Sequence, residues 1–455
     1  MDGDDVRGAA DPGGLSQSQR LYRRGWRVFP DGTTRVTVER QPEPIYIVRG
    51  EGAHLIDADG RRFLDLNNNF TTLIHGHGFA PMVEAVATAL SNGTCFANPT
   101  ESEIALAELI AGRIPSVERI RFVNSGTEAV MFAIKAARAF TGRPAIARFE
   151  GAYHGAYDWA EAGQANGPAQ WGVAQMPRAA PTYRGMPQCV ADNVVLCRFN
   201  DLAETERQLS AAAGRLACVL IDPMPSRAGL LHPDERFLGM LAGLADKHGI
   251  LIVADEVLNL RQGYHGACAR YGMTPDVIAM GKIIGGGFAI GAVGGRADVM
   301  RVFSANGGKP ALPQGGTFSA NPISMIAGRV AMEAMTRDQF DRLETMGDAV
   351  RQGLHGAIAH HRARFSVSGV ASLFRIHPRP RIPTDYRQAY LGEADKALME
   401  RLNRHFLQAG IILPKGAAAC LSTAMTPEDI AHIIETFAAF LAASACTHGE
   451  NDNGR

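Results

Sequence analysis

The sequence has no surplus of charge: across 455 residues, 46 Lys and Arg face 46 Asp and Glu. That balance argues against a nucleic-acid or anionic-membrane partner, since both call for a basic excess. Cysteine is scarce and unpatterned. The seven cysteines (Cys95, Cys189, Cys197, Cys218, Cys268, Cys420 and Cys446) are odd in number and lack CxxC spacing. They read as reduced thiols of a cytoplasmic protein, not as a disulfide frame or a metal site. No apolar run is long enough to span a bilayer. The opening MDGDDVRGAADPGG is acidic and polar, unlike a signal peptide. No internal repeats are seen, and the lack of a basic helix-turn-helix extension, together with the presence of Lys282, disfavours a non-enzymatic, cofactor-binding regulator.

What is present is ordinary for a globular protein. Hydrophobic residues make up 46% of the chain and charged ones 20%, and the length predicts two or three domains. The 50 glycines imply many tight turns and close approaches of backbone to ligand. Residues 1–15, rich in Asp and Gly, and the polar tail from Thr447 predict no regular structure. Tyr46–Leu66 alternates apolar and polar residues around a turn at Asp57–Gly60, a hairpin pattern. Leu66–Gly78 reads as a polar loop. Its adjacent Asn67, Asn68 and Asn69 cannot all be buried without partners, so the loop is expected to line a site.

From Arg119 onward short apolar runs alternate with amphipathic stretches. Strands are expected at 120–123, 145–149, 194–197, 217–221, 249–254 and 277–280, with helices at 129–141, 203–213 and 234–248. This predicts an α/β fold, a parallel sheet with helices on both faces. Beyond residue 330 helices mix with short strands, as in a separate α+β domain.

In such a sheet ligands bind at the carboxyl ends of the strands, and the chemistry-bearing residues fall there. Ser125-Gly126-Thr127 opens a helix, where hydroxyls and free amides suit a phosphate; the same residues serve equally as a helix cap. Tyr153 ends the next strand and could stack on a flat group, or simply pack. Asp255 ends a buried strand and needs a partner: a protonated pyridine nitrogen, or a nearby arginine or backbone amides. Lys282 stands alone in PDVIAMGKIIGGGFAIGAVGG (275–295). Burial there lowers a lysine pKa and suits Schiff-base chemistry, although an amine at the core edge can also reach water. Together these groups match what pyridoxal 5'-phosphate requires.

The motifs FVNSGTEAV (122–130), FEGAYHG (149–155), ADEV (254–257), GKIIGGG (281–287) and GGTFSANP (315–322) resemble the class III, fold-type I pyridoxal-phosphate aminotransferases. The similarity is greatest to the subgroup of glutamate-1-semialdehyde aminomutase and β-amino-acid aminotransferases. It implies a fold-type I transferase with a central, mostly parallel sheet. Residues 1–75 would form an arm and hairpin packing on the small domain, 76–325 the large cofactor-binding domain, and 326–455 the C-terminal α+β domain. Lys282 is then implied to form the Schiff base and Asp255 to pair with the ring nitrogen. Ser125, Gly126 and Thr127 would hold the phosphate, with Tyr153 on one face of the ring and Val257 on the other. Thr317 would reach the phosphate of the partner subunit in a homodimer with shared active sites. Arg35, on an N-terminal arm, and Lys415, in LPKGAAACLS, fall where relatives bind substrate carboxylate, and Phe70 resembles an aromatic pocket position.

The expected activity is ping-pong transfer of an amino group from an amino acid or amine, β-amino acids included, to a keto acid or aldehyde. The alternative is intramolecular transfer of the aminomutase type. Two departures from the family stand out: Asp222-Pro223 replaces a frequent Glu-Pro, and Leu258-Asn259-Leu260-Arg261 replaces a GFR-like segment. The loop in which an aminomutase would carry a gating carboxylate reads Ala417-Ala418-Ala419.

Overall fold

A computed structural model describes residues 14–40 and 43–449 of the chain. Residues 1–13 and 450–455, for which the sequence predicts no regular structure, lie outside the described residues. At the centre is a seven-stranded sheet. Its spatial order is Arg119–Val123, Gly291–Gly295, Val277–Gly281, Leu251–Asp255, Leu216–Ile221, Ala145–Phe149, Val194–Cys197. Neighbours from Val277–Gly281 through to Val194–Cys197 pair in parallel. Gly291–Gly295 runs antiparallel to both of its neighbours.

That strand is the element the sequence conceals. GAVGG carries no strand signal, since glycine is a poor strand former, but here glycine is required by crowding. A Cβ on Gly291 would lie 2.0 Å from the carbonyl oxygen of Ser125, and one on Gly295 would lie 2.2 Å from that of Asp276.

The apolar runs form buried strands because helices cover both sheet faces. Successive side chains point to opposite faces, and two separate cores result. Val253 and Leu220 pack with Ala133, Ile134 and Ala137 of the helix Gly126–Thr141. Their neighbours Ile252 and Val219 pack with Phe237, Leu241 and Leu244 of the helix Glu235–His248. The spacing of those helical residues puts each set on one side of its helix. Asp234 caps the second helix, and Gly249 ends it in the left-handed conformation.

The expected hairpin before residue 66 is three strands, Ile47–Glu51, His54–Asp57 and Arg62–Asp65. The last of these pairs in parallel with Ile411–Ile412, which ties the start of the chain to its end. A further sheet joins Ser366–Val370, Leu373–His377 and Ala419–Cys420. The long helices Arg337–His360 and Pro427–Gly449 pack on each other beside it.

Candidate active site

The parallel strands place their last residues along one edge, and a cleft of about 580 Å³ opens there. Lys282, Asp255, Ser125, Gly126, Thr127, Tyr153, Val257, Arg35 and Phe70 all line it. Thr317 and Lys415 do not. Thr317 is exposed in a separate depression with Cys95, Phe96 and Pro99. Lys415 forms an ion pair with Glu39 and faces a neighbouring pocket.

Lys282 follows directly on Val277–Gly281 and adopts φ +51°, a conformation that costs a non-glycine residue free energy. The turn it opens is anchored by the buried Ile283 and Ile284. Burial lowers its amine from 10.5 to about 8, while Asp255 and then Asp222 oppose that fall. A large share of the amine is therefore neutral near physiological pH.

Asp255 is fixed from two sides. Its Oδ2 lies 2.7 Å from His154 Nδ1, and its Oδ1 accepts the Val257 N–H at 3.0 Å. His154 is fully buried and its Nε2 has no partner. Burial lowers its pKa, outweighing the pull of Asp255. A neutral imidazole donating from Nδ1 satisfies these contacts. The sequence reading passed over His154; its place beside Tyr153 at a strand end was the available signal.

Asp222 also lines the cleft. Burial, and next the carboxylate of Asp255, raise its pKa well above the ordinary value. It accepts the Met224 N–H at 2.9 Å and the Asn259 amide. Both departures noted in the sequence thus meet at one site: Asp222 replaces the glutamate, and Asn259 belongs to the altered segment after ADEV.

Ser125 caps the helix Gly126–Thr141, its Oγ accepting the Glu128 N–H at 3.1 Å. Ser125, Gly126 and Thr127 all line the cleft, and the helix's remaining first-turn amides have no partner within the helix. Gly126 is needed for clearance: a Cβ there would sit 2.7 Å from Val257 Cγ1.

The asparagine loop is not irregular. Asn68, Asn69, Phe70 and Thr71 have φ of +46°, +49°, +55° and +73°, a short left-handed turn. Each such residue costs about 1–2 kcal/mol, although asparagine tolerates it best. Asn68 is the buried one of the three, and its Nδ2 donates to the carbonyls of Asp65 at 2.9 Å and Cys420 at 3.1 Å. The fully buried Arg261 donates to the Thr71 carbonyl at 2.9 Å, to Ser372 Oγ at 3.0 Å and to the Leu421 carbonyl. Held in this way, Phe70 faces the cleft and Asn69 Oδ1 accepts from Arg35 Nη1 at 3.4 Å.

A parallel sheet with a buried amine, a held carboxylate and a helix N-terminus at one edge defines a fold-type I pyridoxal-phosphate enzyme. The chain belongs to the class-III aminotransferase family, whose model matches residues 36–413. An omega-transaminase from Sphaerobacter thermophilus is 46% identical, with a TM-score of 0.92, covering 95% of this chain and 98% of its own. A β-phenylalanine aminotransferase from Variovorax paradoxus is 30% identical, with a TM-score of 0.84 and 94% of each chain covered. A glutamate-1-semialdehyde 2,1-aminomutase from Methanothrix thermoacetophila is 34% identical over 436 residues, 95% of this chain and 98% of that protein. The protein is a pyridoxal-phosphate-dependent transaminase.

Proposed function

We propose that the enzyme transfers the amino group of a carboxylate-bearing donor, a β-amino acid among them, to a keto acid or aldehyde in two half-reactions at Lys282. The observation that carries this reading is the amine itself, buried beside two carboxylates with its pKa lowered to about 8. The residues fit pyridoxal phosphate: Gly126 leaves room that a Cβ would fill, and the acidic partner and helix N-terminus match the two ends of the group.

When bound, pyridoxal phosphate supplies an aldehyde for amines and a ring that withdraws electrons from the carbon bearing them. Lys282 Nζ, neutral in an appreciable fraction, would hold the group through its aldehyde and would take and return the proton at the substrate's amine-bearing carbon. Asp255 would face the ring nitrogen, its carboxylate fixed by His154. Ser125, Gly126 and Thr127 would hold the phosphate. Tyr153 and Val257 would bound the ring, and Phe70 the substrate. Arg35 takes the substrate carboxylate. Lys415 is a second basic group near the mouth, released to substrate only when its pair with Glu39 opens.

A homodimer is part of this proposal, with Thr317 reaching the partner subunit's phosphate site. It is supported by the exposure of Thr317 beside Phe318 at 61% and Phe96 at 49%, an apolar patch suited to an interface. We place the enzyme in the cytoplasm; Cys95, Cys189, Cys197, Cys218, Cys268 and Cys420 are all free thiols. Among the described residues no helix is long and apolar enough to cross a membrane.

The aminomutase alternative draws on relatives of that name. Against it, Ala417 and Ala418 line the cleft with no carboxylate in that loop. A panel of donors with and without a keto acid tests both readings. Keto product formed only when an acceptor is present supports the transaminase with external substrates; turnover of an amino aldehyde without acceptor overturns it.

A further inference from the structure

The loop that carries Tyr153 and His154, residues 150–155, is gripped from behind by a distant part of the chain. Tyr153 lines the cleft, 47% exposed, with the Arg227 guanidinium over its ring at 5.1 Å from the centroid. Glu150, at the start of the loop, is buried and takes two bonds from one arginine, Arg387 Nε at 2.9 Å and Nη2 at 2.8 Å. Arg387 belongs to the short helix Tyr386–Ala389, between the strand Leu373–His377 and the helix Glu393–Gln408. Its guanidinium lies over the Trp171 ring, 5.2 Å from the centroid, and donates to the Trp171 carbonyl at 3.1 Å. Beside it, Tyr386 fills the space over Gly151, where a Cβ would lie 2.1 Å from Tyr386 Cδ2. Tyr386 Oη donates to the Asn166 carbonyl at 2.9 Å, and Asp385 accepts from Arg198 at 2.8 Å.

Further along the loop, Arg148 donates to the Ala152 carbonyl and His154 meets Asp255. Burial raises the Glu150 carboxyl above its ordinary value, and the bonds from Arg387 oppose that rise. A buried ion pair adds little net stability, because desolvation offsets the attraction. An apolar pair of similar volume would hold the fold as well. What the fork supplies is orientation. Two parallel bonds fix the plane of the carboxylate, and through it the backbone that leads into Tyr153 and His154.

We propose that Arg387 is a positioning residue for the reaction. Through its fork on Glu150 it sets Tyr153 against the cofactor ring and His154 on Asp255. Arg387 does not itself line the cleft, so it acts on the ring only through the loop. The assignment rests on the reading of the cleft given above, in which Tyr153 bounds the ring and Asp255 faces its nitrogen.

Affinity for pyridoxal phosphate and the visible circular dichroism of the bound cofactor read the placement of the ring. The melting temperature of the cofactor-stripped protein reads the fold. In Arg387→Met the buried Glu150 loses its partner, and the melting temperature is expected to fall while the dissociation constant for pyridoxal phosphate rises about 10-fold. The double variant Glu150→Leu with Arg387→Met removes both charges. Its melting temperature is expected to recover most of the loss, while the weakened affinity and altered dichroism persist. Arg387→Lys, which keeps the charge but not the fork, is expected to fall between the unaltered chain and Arg387→Met, so the test does not depend on one variant folding. Unchanged affinity and dichroism in Arg387→Met, or a loss of affinity that only tracks the melting temperature across the three variants, overturns the proposal. Failure of the cleft reading would show separately, as no visible dichroism when pyridoxal phosphate is added to the unaltered chain.

Discussion

Raising the pH across the buried amine of Lys282 in the cofactor-stripped protein switches that amine from inert to nucleophilic. With an ordinary value of 10.5, only about one amine in a thousand is neutral at pH 7.5; at about 8, roughly one in four is. The environment thus multiplies the reactive fraction by roughly 200 at that pH. The cause is desolvation, held back by the nearby carboxylates of Asp255 and Asp222. The assay is competitive acylation across pH 6 to 11, with the Lys282 peptide quantified by mass spectrometry. The exposed Lys396, whose amine is raised by its pair with Glu393, is the internal standard. Labelling of Lys282 is expected to rise through about pH 8, well before that of Lys396. Replacing Asp255 by Asn removes the largest opposing influence and moves the midpoint lower still. A Lys282 midpoint coinciding with that of Lys396, or an upward shift in Asp255→Asn, would refute the burial argument.

The remaining predictions concern the cofactor, the scaffold and the substrate. Gly126→Ala pushes a methyl toward Val257 and the phosphate end; absorbance titration with pyridoxal phosphate is expected to show affinity reduced about 10-fold or more, with little change in melting temperature. Arg261→Met strips the donors from Ser372, Thr71 and Leu421, and denaturant unfolding is expected to show a loss of about 3 kcal/mol or more. Arg35→Gln is expected to raise KM for carboxylate-bearing donors about 10- to 100-fold in steady-state kinetics while sparing amines that lack a carboxylate.

The core of the site was legible in the chain because its residues are local punctuation. Ser125, Tyr153, Asp255 and Lys282 each follow an apolar run, so their place at a strand end comes from spacing alone. The parallel order follows too, because strands joined through helices point the same way. Motif resemblance then gave those residues a cofactor.

Other features depend on segments far apart in sequence. The left-handed turn at Asn68–Thr71 exists because Arg261 and Cys420 bind it, some 190 and 352 residues away. Asp222 looked like a simple departure from a family pattern until folding buried it beside Asp255. Nothing in the sequence marks Arg227; the burial of the rest of its loop, and Arg375 reaching across from another sheet, set it in the cleft over Tyr153. The ion pair of Lys415 with Glu39 on the arm is likewise invisible from the loop's own sequence.

The sequence by itself determined the parallel strands, their direction and the four strand-end groups, because backbone periodicity and strand polarity are short-range properties. Tertiary structure alone decided the amine's lowered pKa, the partners of Asp255 and the place of Arg227 over Tyr153. Desolvation and charge pairing depend on which distant groups fill the last few ångströms around a side chain.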